Sequence, residues 1–174
     1  MRAITITISL VAAATMSARA EGTEMKKLDV KSPAFAPNGM IPAEYTCDGA
    51  EKSPPLTWSK APSEAKSIAI LVDDPDAPNG TFTHWIVANL RPTTTAIDAG
   101  AKLPATALVA RNDKGATGYA APCPPSGEHR YQFHVYALDK KLAKTPTSRD
   151  ELLRALDGHI VAEGLLVGTY QKQR

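Results

Sequence analysis

Two short segments hold most of the side chains in this chain that could do chemistry together. The first is Asp-Pro-Asp-Ala-Pro from Asp74 to Pro78, followed by Phe-Thr-His-Trp from Phe82 to Trp85. The second runs from Ala121 through Pro-Cys-Pro-Pro-Ser-Gly-Glu to His129, Arg130 and Tyr131. Proline fixes φ and removes a donor, so both loops are stiff before any ligand arrives. Stiff loops carrying Asp74, His84, His129 and Tyr131 suit a small preorganised polar pocket. A carboxylate beside an imidazole selects its tautomer and favours its protonated form, so pairing Asp74 with His84 would make a donor for phosphate. Tyr131 would add a neutral hydroxyl and the loops their amides, so an anion site needs no lysine. On residues alone, Asp-Pro-Asp-Ala-Pro reads first as a capped turn in which Asp74 accepts from backbone amides, ahead of the site reading.

These residues need strands to hold them. Leu28 to Lys31 alternates and predicts an opening strand. Ser67 to Val72 is a continuous apolar run, suited to a central strand covered on both faces. His84 to Leu90 and Tyr131 to Leu138 predict two more buried strands. Alternation puts His129 and Tyr131 on one face and Arg130 on the other. His134, facing away from Tyr131, reads as a satisfied core histidine. Ser148 and Glu151 form a capping-box pattern ahead of Leu152, Ala155 and Leu156, and Gly158 is a natural stop, so one helix is expected there. His159, just past that stop, suits the helix dipole and needs no further role. Ile160 to Tyr170 reads as a last strand weakened by its glycines.

Arg2, an apolar stretch from Ala3 to Met16 and Ala18-Arg19-Ala20 have the form of a signal peptide over residues 1–20, cleaved before Glu21. The apolar stretch is short of the ~20 residues a membrane span needs. No cysteine stands at the cleavage point, which argues against a lipoprotein. Residues 21–174 then form a single domain. Cleavage removes Arg2 and Arg19, leaving 18 basic against 18 acidic residues. A balanced charge without a Lys/Arg cluster argues against a nucleic-acid binder and an electrostatic membrane binder. No serine or cysteine sits in a nucleophile signature, and no metal-ligand spacing is present. Enzymatic activity, a metal and a cofactor are therefore not expected.

The two loop motifs resemble the phosphatidylethanolamine-binding protein family, in its bacterial Raf-kinase-inhibitor-like branch. Tyr-Thr-Cys-Asp-Gly at Tyr45–Gly49, Ser-Pro-Pro-Leu-Thr-Trp at Ser53–Trp58, Asn112-Asp113, Tyr-Ala-Leu-Asp at Tyr136–Asp139 and Gly-Thr-Tyr at Gly168–Tyr170 extend the resemblance over nearly all of the chain beyond about Lys31. It implies a mainly β fold: a large antiparallel sheet packed on a smaller one, with peripheral helices, one near the C-terminus. It implies a non-catalytic pocket built from Asp74, Asp76, Pro78, His84, Pro122, His129 and Tyr131. With His129 and Tyr131 placed in that site, it implies a structural pairing of Arg130 with a carboxylate. The expected ligand is a phosphate-bearing small molecule or a phospholipid headgroup. Ala120 and Ala121 replace glycines usual in bacterial relatives, and would narrow or reshape that pocket. Cys47 and Cys123 fall in loops the family places around the pocket, and export to an oxidising compartment allows them to form a disulfide. A modulator of a protein partner, a protease rather than a kinase for an exported chain, is the alternative function. A homodimer stays open.

Periplasmic or secreted location is the expectation, and N-terminal sequencing of the protein from a diderm host checks it. The mature chain should begin at Glu21; a soluble cytosolic product that retains Met1 would contradict export.

Overall fold

Strand β4 (Ser67–Asp74) is buried along its whole length, and the fold is built around it. Its alternate side chains enter two separate cores. Ile68, Ile70 and Val72 join a large apolar cluster on one face, and Ala69 and Leu71 join a smaller one on the other. That division explains why the run is apolar without alternation, as a strand covered on both faces requires. The computed structural model describes residues 25–173 of the chain, so the signal-peptide and cleavage-site readings lie outside the described residues.

The remaining elements, in chain order, are β1 (Lys26–Lys27), β2 (Val30–Lys31), a 3-10 turn (Ala43–Tyr45), β3 (Leu56–Trp58), then after β4, β5 (Phe82–Leu90), β6 (Ala96–Ile97), β7 (Leu108–Val109), β8 (Glu128–Leu138), α1 (Arg149–Leu156) and β9 (Ile160–Gln171). Six strands form one sheet in the order β1-β9-β8-β4-β5-β7, and three form a second in the order β2-β3-β6. All pairings are antiparallel except the edge pair, where β1 runs parallel to β9. The large cluster, with Trp58, Trp85, Phe133 and Tyr131, lies between the sheets. The smaller cluster lies under α1, through Leu152 and Leu156. This is the mainly β, two-sheet architecture with a helix near the C-terminus.

Of the expected opening strand from Leu28 to Lys31 only Val30 and Lys31 form one, β2, and a separate strand, β1, precedes it. Leu28 and Asp29 separate β1 from β2, and Leu28 N–H donates to the Glu163 carbonyl at 2.7 Å before the chain crosses to the small sheet. The helix cap forms as expected at its first half: Ser148 Oγ accepts from Glu151 N–H. The Glu151 carboxylate reaches one residue further back, to Thr147 N–H at 2.7 Å and its hydroxyl at 2.6 Å. Gly158 follows with φ 70°, a left-handed stop that glycine adopts without strain.

The glycines of β9 strengthen the packing. A methyl at Gly168 would sit 2.7 Å from both Ile41 Cγ1 and Phe35 Cε2. At Gly164 it would fall on the Leu28 carbonyl oxygen and lie 2.6 Å from Val30 Cγ2. The bare backbone lets the N-terminal segment lie across the strand. Gly164→Ala should therefore destabilise by roughly 1–3 kcal/mol or more, because the clash includes backbone that cannot rotate away. Urea unfolding checks this, and an unchanged midpoint would show that the crossing segment shifts freely.

Candidate functional site

The site lies where β4 ends and β5 and β8 begin. Register brings them together: Asp74 stands opposite Phe82, and Asp73 opposite both Thr83 and Gln132. Between Val72 and Asp73 the register slips, so Val72 faces Trp85 while Asp73 faces Thr83. His84 is the extra residue of this bulge. A bulge re-aims a side chain that strict alternation would send to the opposite face. Trp85 enters the core between the sheets, yet its neighbour His84 packs against Tyr131 and Phe82, with ring centres 5.2 Å and 4.8 Å away.

The loop between β7 and β8 closes around His84. Ala120 N–H donates to the His84 carbonyl at 2.8 Å, and His84 Nδ1 donates to the Ala120 carbonyl at 2.7 Å. A carbonyl only accepts, so Nδ1 carries the proton and Nε2 is the ring nitrogen left to the cavity. Burial pushes the His84 imidazole below its ordinary value; the Ala120 carbonyl and Asp74 pull it upward but do not win, and Lys114 adds to the lowering. The neutral form is thereby favoured. The expected Asp74–His84 pair does not form.

The imidazole partner of Asp74 is His129, with Oδ2 2.7 Å from Nδ1 and both side chains buried. The other oxygen, Oδ1, accepts from Asp76 N–H at 2.8 Å. Asp74 thus does both things proposed for it, capping the turn and orienting an imidazole. Tyr131 is fully buried, and its hydroxyl has no hydrogen-bond partner among the described residues. Burial and then the charge of Asp74 push its phenol well above the ordinary range, so it stays protonated.

A cavity of about 350 Å³ collects these groups. Asp74, Pro78, His84, His129 and Tyr131 line it. Asp76 does not: Arg130 grips it through Nε at 2.9 Å and Nη2 at 2.7 Å. That fork holds the Asp76 carboxyl down at about 2. Arg130 is paired structurally, as expected, but with a residue expected in the pocket. Pro122 is also outside the lining; its carbonyl accepts from Cys47 N–H at 3.0 Å, and Ala121, Cys123, Pro124 and Pro125 form the wall instead.

Asp113 and Lys114 also reach the cavity, outside the set of residues expected to line it. Asp113 is tied to β5, its Oδ2 accepting from Thr83 N–H at 2.7 Å and its own N–H donating to Thr83 at 3.0 Å. The one available signal is the Asn-Asp pair, followed by Lys114 and by Gly115 with φ 82°, a turn that presents a cation at its tip. Of the two alanines, Ala121 lines the cavity, and neither has positive φ, so alanine there costs nothing in the backbone.

Cys47 and Cys123 form a disulfide with Cα atoms 5.4 Å apart. It fastens the cavity wall to the loop after the 3-10 turn. The other two histidines stay away from the cavity. His134 stacks on Tyr136 with ring centres 5.8 Å apart and is half-buried, with Nε2 3.3 Å from the Gln132 side chain. His159 meets Asp139 at 2.8 Å beyond the helix.

A two-sheet β domain with a preformed cavity at its strand ends defines a class of small binding proteins. The sequence model for "Phosphatidylethanolamine-binding protein" matches residues 31–171, and the chain belongs to that family. It is 46% identical over 151 residues to a UPF0098 protein of Methanothermobacter thermautotrophicus, covering 83% of this chain and 99% of that one. A solved homologue, CT736 of Chlamydia trachomatis, superposes with TM-score 0.80 at 42% identity, covering 85% of this chain and 99% of the other. Escherichia coli YbcL, described as a new member of the mammalian PEBP family, superposes with TM-score 0.76 at 32% identity over 84% of this chain and 99% of its own.

The Tyr131 hydroxyl gives a direct check on this geometry. Removing a buried polar group that has no partner should not weaken the fold. Tyr131→Phe should unfold within about 0.5 kcal/mol of the parent or above it. A clear loss of stability in urea would place the hydroxyl in an internal bond instead.

Proposed function

We propose that the protein is an exported, non-catalytic binding protein whose cavity receives a phosphate-bearing group, as a phosphorylated metabolite or a phospholipid headgroup. The observation that carries this reading is the buried hydroxyl of Tyr131, without a partner among the described residues, on the wall of a cavity also lined by two imidazoles whose Nδ1 atoms are already committed. Buried polar groups are normally satisfied, and a buried hydroxyl without a partner, on a residue of a cavity wall, is a donor that a ligand can satisfy. Lys114 adds a positive charge at the same cavity. The cysteine in the wall is bridged and is no nucleophile, which supports binding over catalysis. No helix among the described residues is long and apolar enough to cross a membrane. An exported location rests on residues 1–20 of the sequence.

Calorimetry with inorganic phosphate tests the reading. The parent should bind. Tyr131→Phe should bind about 10- to 150-fold more weakly, because a hydrogen bond to a charged group is worth about 1.5–3 kcal/mol. A measurable parent signal left unchanged in Tyr131→Phe would remove the hydroxyl from the site.

A further inference from the structure

We infer that the cavity selects phosphomonoesters over phosphodiesters, with His84 Nε2 as the residue atom that reads the difference. The inference rests on the phosphate reading above and narrows it. It starts from the tautomer. His84 Nδ1 is committed to the Ala120 carbonyl at 2.7 Å, so the neutral ring presents a lone pair, not a proton, to the cavity. A lone pair attracts a ligand donor and repels a bare anionic oxygen.

Among the described residues, none donates a hydrogen bond to His84 Nε2. Asp74 faces His84 from β4, His129 and Tyr131 from β8, Phe82 from its own strand, and Asp113 and Lys114 from the loop between β7 and β8, while Asp73, turned to the other side of β4, acts on the ring only through its charge. Both carboxylate oxygens of Asp74 are already occupied, by His129 and by Asp76 N–H. Tyr131 keeps its proton and donates, and Lys114 supplies charge. A ligand that fits must therefore bring both a negative oxygen, for Tyr131 and Lys114, and a proton donor, for His84 Nε2. The monoanion of a phosphomonoester has both in one group, P–O⁻ and P–OH. A phosphodiester has no P–OH, so one of its oxygens faces the lone pair. The monoester loses its proton with a pKa near 6, so the matching form is depleted as pH rises.

The experiment compares O-phosphorylethanolamine with glycerophosphorylethanolamine by calorimetry at about pH 6 and about pH 8, with methyl and dimethyl phosphate as size-matched controls. The first probe stands for a free metabolite and the second for a phospholipid headgroup. The monoester should bind at least about 10-fold more tightly than the diester at the lower pH, and weaken at least about 10-fold at the higher, as its dianion replaces the monoanion. In His84→Gln an amide N–H takes the place of the lone pair, so the diester should come within a few-fold of the monoester. Equal, pH-independent binding of both probes would overturn the selectivity while leaving the phosphate site intact. Unchanged discrimination in a folded His84→Gln would remove His84 as its source. Binding of neither probe would overturn the phosphate reading, and this inference with it.

Discussion

A strand covered on both faces that ends in two consecutive carboxylates sets the terms for everything around it. Asp73 and Asp74 close β4 in full burial and point to opposite sides. An isolated buried carboxylate is untenable, so each must find a partner. Asp73 takes Arg149 Nε at 2.8 Å, the first residue of α1, with His134 Nε2 at 3.7 Å. Burial pushes its carboxyl up, and His134 and Arg149 together more than offset that, leaving it below the ordinary range. Asp74 takes His129. One carboxylate therefore helps seat the helix over the small core, and its neighbour organises the cavity between the sheet ends.

The large ordered loops follow from the same need. The strands that form the site terminate at the cavity, so its open side must be walled by segments without ladder partners. The backbone of the loop between β7 and β8 borrows partners from β5: Ala110 N–H donates to Ile86 at 3.1 Å, Asp113 N–H to Thr83 at 3.0 Å and Ala120 N–H to His84 at 2.8 Å. The disulfide ties down the next stretch of that loop. In the entropy model, a crosslink across a separation of this size restricts the unfolded chain by ~4 kcal/mol.

Strands with continuous apolar character are legible in the sequence, because burial on two faces leaves no polar position to confuse the pattern. Ser67–Val72 is such a run and lies inside β4, while Tyr131–Leu138, where Gln132 and His134 alternate with apolar residues, is legible by alternation and bulk and lies inside β8. The cap at Ser148 and the stop at Gly158 are legible for local reasons, since both act within a few residues. The cavity's membership is partly legible, through proline-stiff loops and alternation at His129 and Tyr131. The pairing inside it is not. A one-residue slip between β4 and β5 decides where His84 points, and a bulge leaves no mark in a hydrophobic pattern. Asp76 and Arg130 each stand out as charged residues, but only the fold shows that they satisfy one another. Leu28 and Asp29 alternate with their neighbours, which hides the crossing between sheets as well.

The two bare positions in β9 have a temporal meaning. Lys26 and Lys27 pair with Ala162 and Glu163, Asn38 N–H donates to Val167 at 2.7 Å, and Ile41 N–H donates to Thr169 at 2.8 Å. The earliest described residues thus dock on the latest ones. A nascent chain cannot offer that docking surface until its final strand has left the ribosome. Contacts that join distant parts of a chain also form slowly, since loop closure comes before the reward. The domain closes as a ring closes, with the last link, and until then the segment from Lys26 to Ile41 lacks its docking surface.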